Sequence, residues 1–229
     1  MTGSEEAAMN VIDAIESRRS IRAFKPEPVS REVLLKILAA ANWSPSWADT
    51  QPWEVYVAGG EPLGRIRRRF LARFEDGVAP ANDVPRPQEW PPGPKQRMLD
   101  FIDARCSAMG VALRGEAERE ASMRRNFEFF GAPVVVYLCL HRDLTAWSYF
   151  DLGLYAQSLM LAAMEHSVGS VVAVNLTAYP DILREELGIP EDHTVLIGIA
   201  LGYEDPEDVN NQVRSIRRPV EDAVVIKGV

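Results

Sequence analysis

The stretch Thr145–Val168 limits what this chain can fold into more than any other, because a helix drawn over it carries apolar residues on nearly all sides. Such a helix has no polar face to offer water and must be covered all round. Two arrangements satisfy that: the helix crosses the centre of the fold, or it buries part of itself against a second subunit. Nearby patterns supply a cover. Pro133–Leu140 is a near-continuous apolar run and reads as a buried strand, Val195–Leu201 reads likewise, and Gly169–Asn175 predicts another strand.

The remaining elements follow from periodicity and punctuation. Val11, Ile12 and Ile15 mark the apolar face of a short helix ending near Arg18. Ser30 can cap a helix with Val33, Leu34, Ile37, Leu38 and Ala41 at helical spacing. Glu54–Ala58 reads as a strand, Gly59-Gly60 as a turn, and Leu63–Phe74 as a basic amphipathic helix with Leu63, Ile66, Phe70 and Phe74 inward. Its Arg67, Arg68 and Arg69 are expected on a solvated face. From Gly77 to Arg97, six prolines preclude regular structure; helical periodicity resumes over Met98–Phe130. The whole 77–130 segment is expected to form an excursion from the core, and loops of such length are usually functional or disordered. Tyr179–Leu187 predicts a short helix stopped by Gly188 and Pro190.

A length of 229 residues with 47% hydrophobic content suits one domain over 1–229. Its core needs neither disulfides nor metals, since chains of this size bury roughly 70–75% of their unfolded surface. Cys139 falls in the apolar run and Cys106 in a separate amphipathic segment, which suits a reduced, cytoplasmic protein. With 33 acidic against 25 basic residues, the net charge of −8 argues against a general nucleic-acid binder. No apolar run approaches the length of a membrane span. His141, His166 and His193 lack the spacing of metal ligands.

Two stretches escape these structural patterns. Arg18-Arg19-Ser20-Ile21-Arg22 sets three guanidinium groups and a hydroxyl within five residues, able to bind a phosphate by charge-assisted hydrogen bonds. Cations after a helix are also a structural device, worth roughly 0.3–1 kcal/mol. One helix later comes Ser44-Pro45-Ser46-Trp47-Ala48-Asp49-Thr50-Gln51-Pro52-Trp53, where two prolines break regular structure and three of the five tryptophans fall between Trp43 and Trp53. Flat rings, small hydroxyls and an amide suit a planar, hydrogen-bonding ligand, the alternative being aromatic capping of a core. No G-x-G-x-x-G after a strand, phosphate-binding G-x-x-x-x-G-K-[ST] or G-x-S-x-G elbow occurs.

In that order the two stretches resemble the FMN-dependent nitroreductase family, whose signature pairs an arginine–arginine–serine–x–arginine group with a small-Pro-Ser…Asn-x-Gln-Pro-Trp loop. The resemblance continues through Tyr179-Pro180-Asp181, Leu187-Gly188-Ile189-Pro190, Ile197–Tyr203 and Arg217-Arg218-Pro219, and so spans nearly the whole chain. Asn126–Pro133 looks most similar to the nitrobenzoate-reductase-like branch. One departure is Asp49, where the family commonly has asparagine; the carboxylate has no amide donor.

The resemblance implies an α+β fold, a three-layer α-β-α sandwich with a mainly antiparallel sheet, assembled as a homodimer with two FMN sites at the interface. Arg18, Arg19, Ser20 and Arg217 would bind the ribityl phosphate, and Arg22 would reach the pyrimidine edge. Ser44, Pro45, Ser46 and Gln51 would lie along the ring and ribityl chain from the partner subunit. Val172, Ala173 and Val174 would run beside the isoalloxazine and offer a backbone N–H to N5. NAD(P)H would give a hydride to N5 and be replaced by a nitroaromatic or quinone-like acceptor, a ping-pong cycle needing no acid/base dyad. Within the excursion, Trp90, Phe127, Phe129 and Phe130 could wall an aromatic pocket and Arg86, Lys95 or Arg97 meet a carboxylate, although each serves equally as lid packing or surface. Reductive dehalogenation or desaturation on the same scaffold, or a flavin-binding sensor without turnover, are the other readings.

Overall fold

The computed structural model describes residues 10–110 and 115–228. In chain order the elements are α1 (Val11–Ser17), α2 (Arg31–Ala41), β1 (Glu54–Gly59), α3 (Gly60–Glu75), α4 (Pro92–Met109), α5 (Glu116–Phe127), β2 (Val134–His141), α6 (Ala146–Glu165), β3 (Gly169–Ala173), α7 (Pro180–Leu187) and β4 (His193–Gly202). Ser30 caps α2 as expected, its side chain accepting from the Val33 N–H at 3.2 Å. The four strands form one sheet in the order β1-β2-β4-β3, every pair antiparallel.

The unbroken apolar run of β2 has a direct cause. Alternate side chains point to opposite faces, and helices cover both. Val135, Tyr137 and Cys139 enter a core with Ile66 and Phe70 of α3, Phe127 of α5 and Leu183 of α7. Val134, Val136, Leu138 and Leu140 enter a second core with Ile37 of α2 and Leu152, Tyr155 and Leu159 of α6. The result is the expected α-β-α sandwich. Helix α6 does not cross its centre. Leu152, Tyr155, Leu159 and Ala163 lie inward, while Trp147 and Phe150 stay 64% and 65% exposed in the single chain.

Several boundaries depart from the sequence reading. Helix α4 begins at Pro92, inside the stretch expected to be irregular through Arg97, because prolines in a first turn forfeit no intrahelical hydrogen bond. Gly60 opens α3 directly instead of forming a separate turn. Val11, Ile12 and Ile15, the apolar face of α1, are exposed in the single chain. The arginines of α3 are not simply solvated: Arg67 donates to the Ala132 carbonyl at 2.8 Å, and Arg69 pairs with Glu185 and Glu186 of α7. Finally, β3 stops at Ala173 and a single tight turn, Val174–Thr177, folds over β4. Glycine at 198 permits this, since a Cβ there would stand 2.5 Å from the Leu176 Cβ.

Candidate functional site

After α1 the chain runs extended past the end of the sheet. Ile21 donates its N–H to the Ser170 carbonyl at 2.9 Å, Lys25 donates to Tyr203 at 2.8 Å, and Asp205 donates to Ala23 at 3.1 Å. One buried amide fixes the arginine segment: Asn211 Oδ1 accepts from the Arg22 N–H at 2.7 Å, while its Nδ2 donates to the carbonyls of Ala23 and Asp205, both at 2.8 Å. Arg18 and Arg19 border a cavity of about 230 Å³ with Met164, Ser170 and Glu204. Arg19 is ion-paired with Glu204, so its charge is met within the chain. Burial, and then the charge of Arg217, push Arg18 below its ordinary value, so two cations share that region.

Arg22 faces a second cavity, about 280 Å³, with Arg105 of α4, Arg125 and Asn126 of α5, Phe130, the end of β3 at Val171, Val172 and Ala173, and Val174 of the turn after it. Burial, and then the charge of Arg105, lower Arg22 to about 10. Arg105 is itself lowered by burial and by Arg125. Counter-charge is scarce. Asp208 approaches Arg125 at 3.4 Å, Asn210 Oδ1 accepts from Arg105 at 2.9 Å, and the buried Arg105 Nε has no hydrogen-bond partner among the described residues. Crowded guanidinium groups with spare donors fit an anion or an electron-rich carbonyl edge. Arg105 and Arg125 escaped sequence reading because helical arginines far from any motif look like surface charge.

The tryptophan loop is elsewhere in the single chain. Ser44 Oγ donates to the Ala41 carbonyl at 2.7 Å, Ser46 Oγ accepts from the Gln51 N–H at 2.9 Å, and Gln51 Nε2 donates to Asp49 Oδ1 at 2.9 Å. Asp49 therefore orients Gln51, an acceptor's task that asparagine's oxygen would also perform. Ala48, Asp49 and Gln51 adopt φ of 50°, 58° and 45°, strain concentrated in one short loop. The Trp47 N–H donates to the buried Asp151 at 3.2 Å, and its ring meets Trp147 edge-on at 6.0 Å. Pro45, Ser46 and Trp47 border a cavity of about 610 Å³ with Trp147, Phe150 and Leu154, separate from the arginines.

Of the aromatic residues expected to wall a pocket, Phe130 lines the arginine cavity. Phe127 does not: it is 1% exposed and packs on Phe74 and Tyr179 at 5.1 and 5.7 Å between centroids. Phe129 is equally buried, 5.2 Å from Phe70. Aromatic character alone does not distinguish a core wall from a ligand wall. Trp90 stands half exposed on the loop before α4. The first part of the excursion is instead tied to the segment that joins β3 to α7. Tyr179 Oη donates to the Val78 carbonyl at 2.8 Å, Ala81 donates to Ala178 at 2.8 Å, and Asn82 Nδ2 donates to the Val174 carbonyl at 2.9 Å.

The family model for the nitroreductase family matches residues 15–203, and the chain belongs to that family. Nitrobenzene nitroreductase of Ectopseudomonas oleovorans is 31% identical to it over 214 residues, 92% of this chain and 93% of the relative. 4-nitrobenzoate reductase of Pseudomonas putida is 30% identical over 217 residues, 90% and 89% of the two chains. The crystal structure of the FMN-dependent nitroreductase NfnB from Mycobacterium smegmatis in complex with NADPH superposes with a TM-score of 0.89 at 29% identity, covering 96% of this chain and 100% of that one. Among the described residues, no helix is long and apolar enough to cross a membrane.

Proposed function

We propose that the protein is an FMN-dependent oxidoreductase that carries reducing equivalents from NAD(P)H to nitroaromatic or quinone-like acceptors. The observation that carries this is the under-neutralised cluster of Arg22, Arg105 and Arg125 beside the exposed end of β3, in a chain of the nitroreductase family. The orphaned Arg105 Nε and the crowding of Arg22 fit a ligand with a carbonyl-rich, electron-accepting edge. When bound, FMN supplies the hydride-accepting and hydride-donating atom, N5. The chain's own task is electrostatic and positional. Fixed cations at Arg22 and Arg105 stabilise negative charge at the pyrimidine edge. Arg18, Ser20 and Arg217 are proposed to hold the phosphate, and Val172, Ala173 and Val174 to support the ring.

Ser44, Pro45, Ser46 and Gln51 complete the site only if a second copy brings them there. Their own surroundings favour that reading: Trp47, Trp147 and Phe150 form an exposed aromatic patch of the kind that marks an interaction surface. We therefore read a homodimer with two sites, each chain being one FMN-binding domain over 1–229 and 77–130 a wall of the site. The test is an absorption spectrum of the purified protein before and after anaerobic NADPH or NADH, then after 4-nitrobenzoate. Flavin bands that bleach and then return are expected. A yellow protein that neither nucleotide bleaches overturns the reductase, and a protein colourless even with added FMN overturns the cofactor.

A further inference from the structure

We infer that Arg86 selects aromatic acceptors bearing a carboxylate, gripping that carboxylate at the rim of a cavity next to the proposed flavin site. This rests on the function proposed above. The cavity, about 360 Å³, shares Val172 and Val174 with the arginine cavity, so it abuts the strand end along which the flavin ring is proposed to run. Val84, Pro85, Tyr149, Leu152, Leu196 and Ile197 make its walls apolar. About 150 Å³ suffices to take up a benzene ring. Among the described residues, Arg86 is the one charged side chain that lines it.

The guanidinium is held without being neutralised. Its Nη2 donates to Asn175 Oδ1 at 2.5 Å and to Asn82 Oδ1 at 3.3 Å, both neutral amides. No carboxylate lies within ion-pair distance of it among the described residues. Its anchors are fixed in turn. Asn82 Nδ2 donates to the Val174 carbonyl and to Thr177 Oγ1 at 3.0 Å, and Asn175 Nδ2 points to Met123 Sδ at 3.4 Å. The next residue, Asp83, pairs with the buried Arg184 at 2.6 Å and accepts from the Val195 N–H at 2.8 Å. Arg86 is thus located by the same turn that follows β3, and its Nε and Nη1 donors are left for an anion. Either can give a carboxylate oxygen one charge-assisted hydrogen bond. Arg97, the rival candidate from sequence, borders a different cavity with Arg214 and Arg217.

The test uses the FMN-loaded protein and its Arg86→Gln and Arg86→Lys variants. Benzoate and benzamide are titrated calorimetrically, and kcat/KM is measured for 4-nitrobenzoate and 4-nitrobenzamide. Wild type is expected to prefer the anion in both assays. Arg86→Gln should lower the benzoate-to-benzamide affinity ratio and the corresponding kcat/KM ratio by about 10- to 100-fold, the range expected for losing a charge-assisted hydrogen bond. Arg86→Lys, keeping the charge without the planar group that Asn82 and Asn175 hold in place, should fall between. Equal losses for acid and amide, or no preference in wild type, overturn the assignment. The two readings fail separately: unbleached flavin with Arg86-dependent benzoate binding overturns the reductase, whereas normal bleaching with charge-blind binding overturns the role of Arg86.

Discussion

Arg22 concentrates the site's chemistry in one side chain: its backbone is clamped by Asn211, its guanidinium lies 5.8 Å from the Phe101 ring centroid, and Arg105 crowds its charge. Replacing Arg18 and Arg22 together by alanine removes two charge-assisted hydrogen bonds of roughly 1.5–3 kcal/mol each, so FMN affinity should fall at least about a hundredfold. Fluorescence titration of FMN checks this, and unchanged affinity would refute the site. Even lowered to about 10, Arg22 stays a cation throughout the neutral range, so FMN affinity should be level from about pH 6 to pH 9, read by the same titration. At Gly198 the constraint is steric. Gly198→Ala should cost about 1–3 kcal/mol, read as a lower urea midpoint, because Leu176 has to move. Arg18 to Arg22 were legible as a group because five adjacent residues carry the signal. Phe127 stayed open between pocket wall and packing, and Arg105 was missed, because burial and convergence are properties of the fold.

At the level of elements, the basic stripe of α3 meets the acidic stripe of α7. Arg65 bonds Glu186 at 2.8 Å, Arg73 bonds Asp181 at 2.8 Å, and Arg69 reaches Glu185 and Glu186. Hydrogen bonds from Arg73 and Arg65 hold the carboxyls of Asp181 and Glu186 below their ordinary ranges. A carboxyl depressed in the folded state contributes stability above its unfolded value and loses it as pH falls through the folded one. The urea midpoint should therefore stay level down to about pH 5 and fall below about 4.5. Arg65→Gln with Arg73→Gln should flatten that fall, and only slightly, because solvent screens pairs this exposed. Sequence periodicity located α3 and α7 well. It did not show that they pair, because a basic helix face looks the same whether it meets water or a distant acidic helix. Helix α4 is the counter-example within the excursion: none of its side chains is buried, so hydrophobic periodicity had little to mark its start.

For the whole molecule, the decisive fact is that the two motifs do not meet in one chain. The arginine segment runs beside β3, whereas Ser46 and Trp47 face α6. Phe150→Glu, on an exposed position of α6, should therefore give a folded monomer by light scattering that retains less FMN per chain. A monomer with stoichiometric FMN would refute a shared site. The sequence by itself determined the central buried strand, since a short valine-rich apolar run opened by proline suits a strand shielded on both faces. It also determined the order of the family's motifs, which are local in the chain. Only the tertiary structure decided which charges are free: Arg19 is consumed by Glu204, while Arg22, Arg105 and Arg86 are left with neutral or distant partners. Partners so remote in sequence leave no local pattern, because folding, and not spacing, brings them within reach.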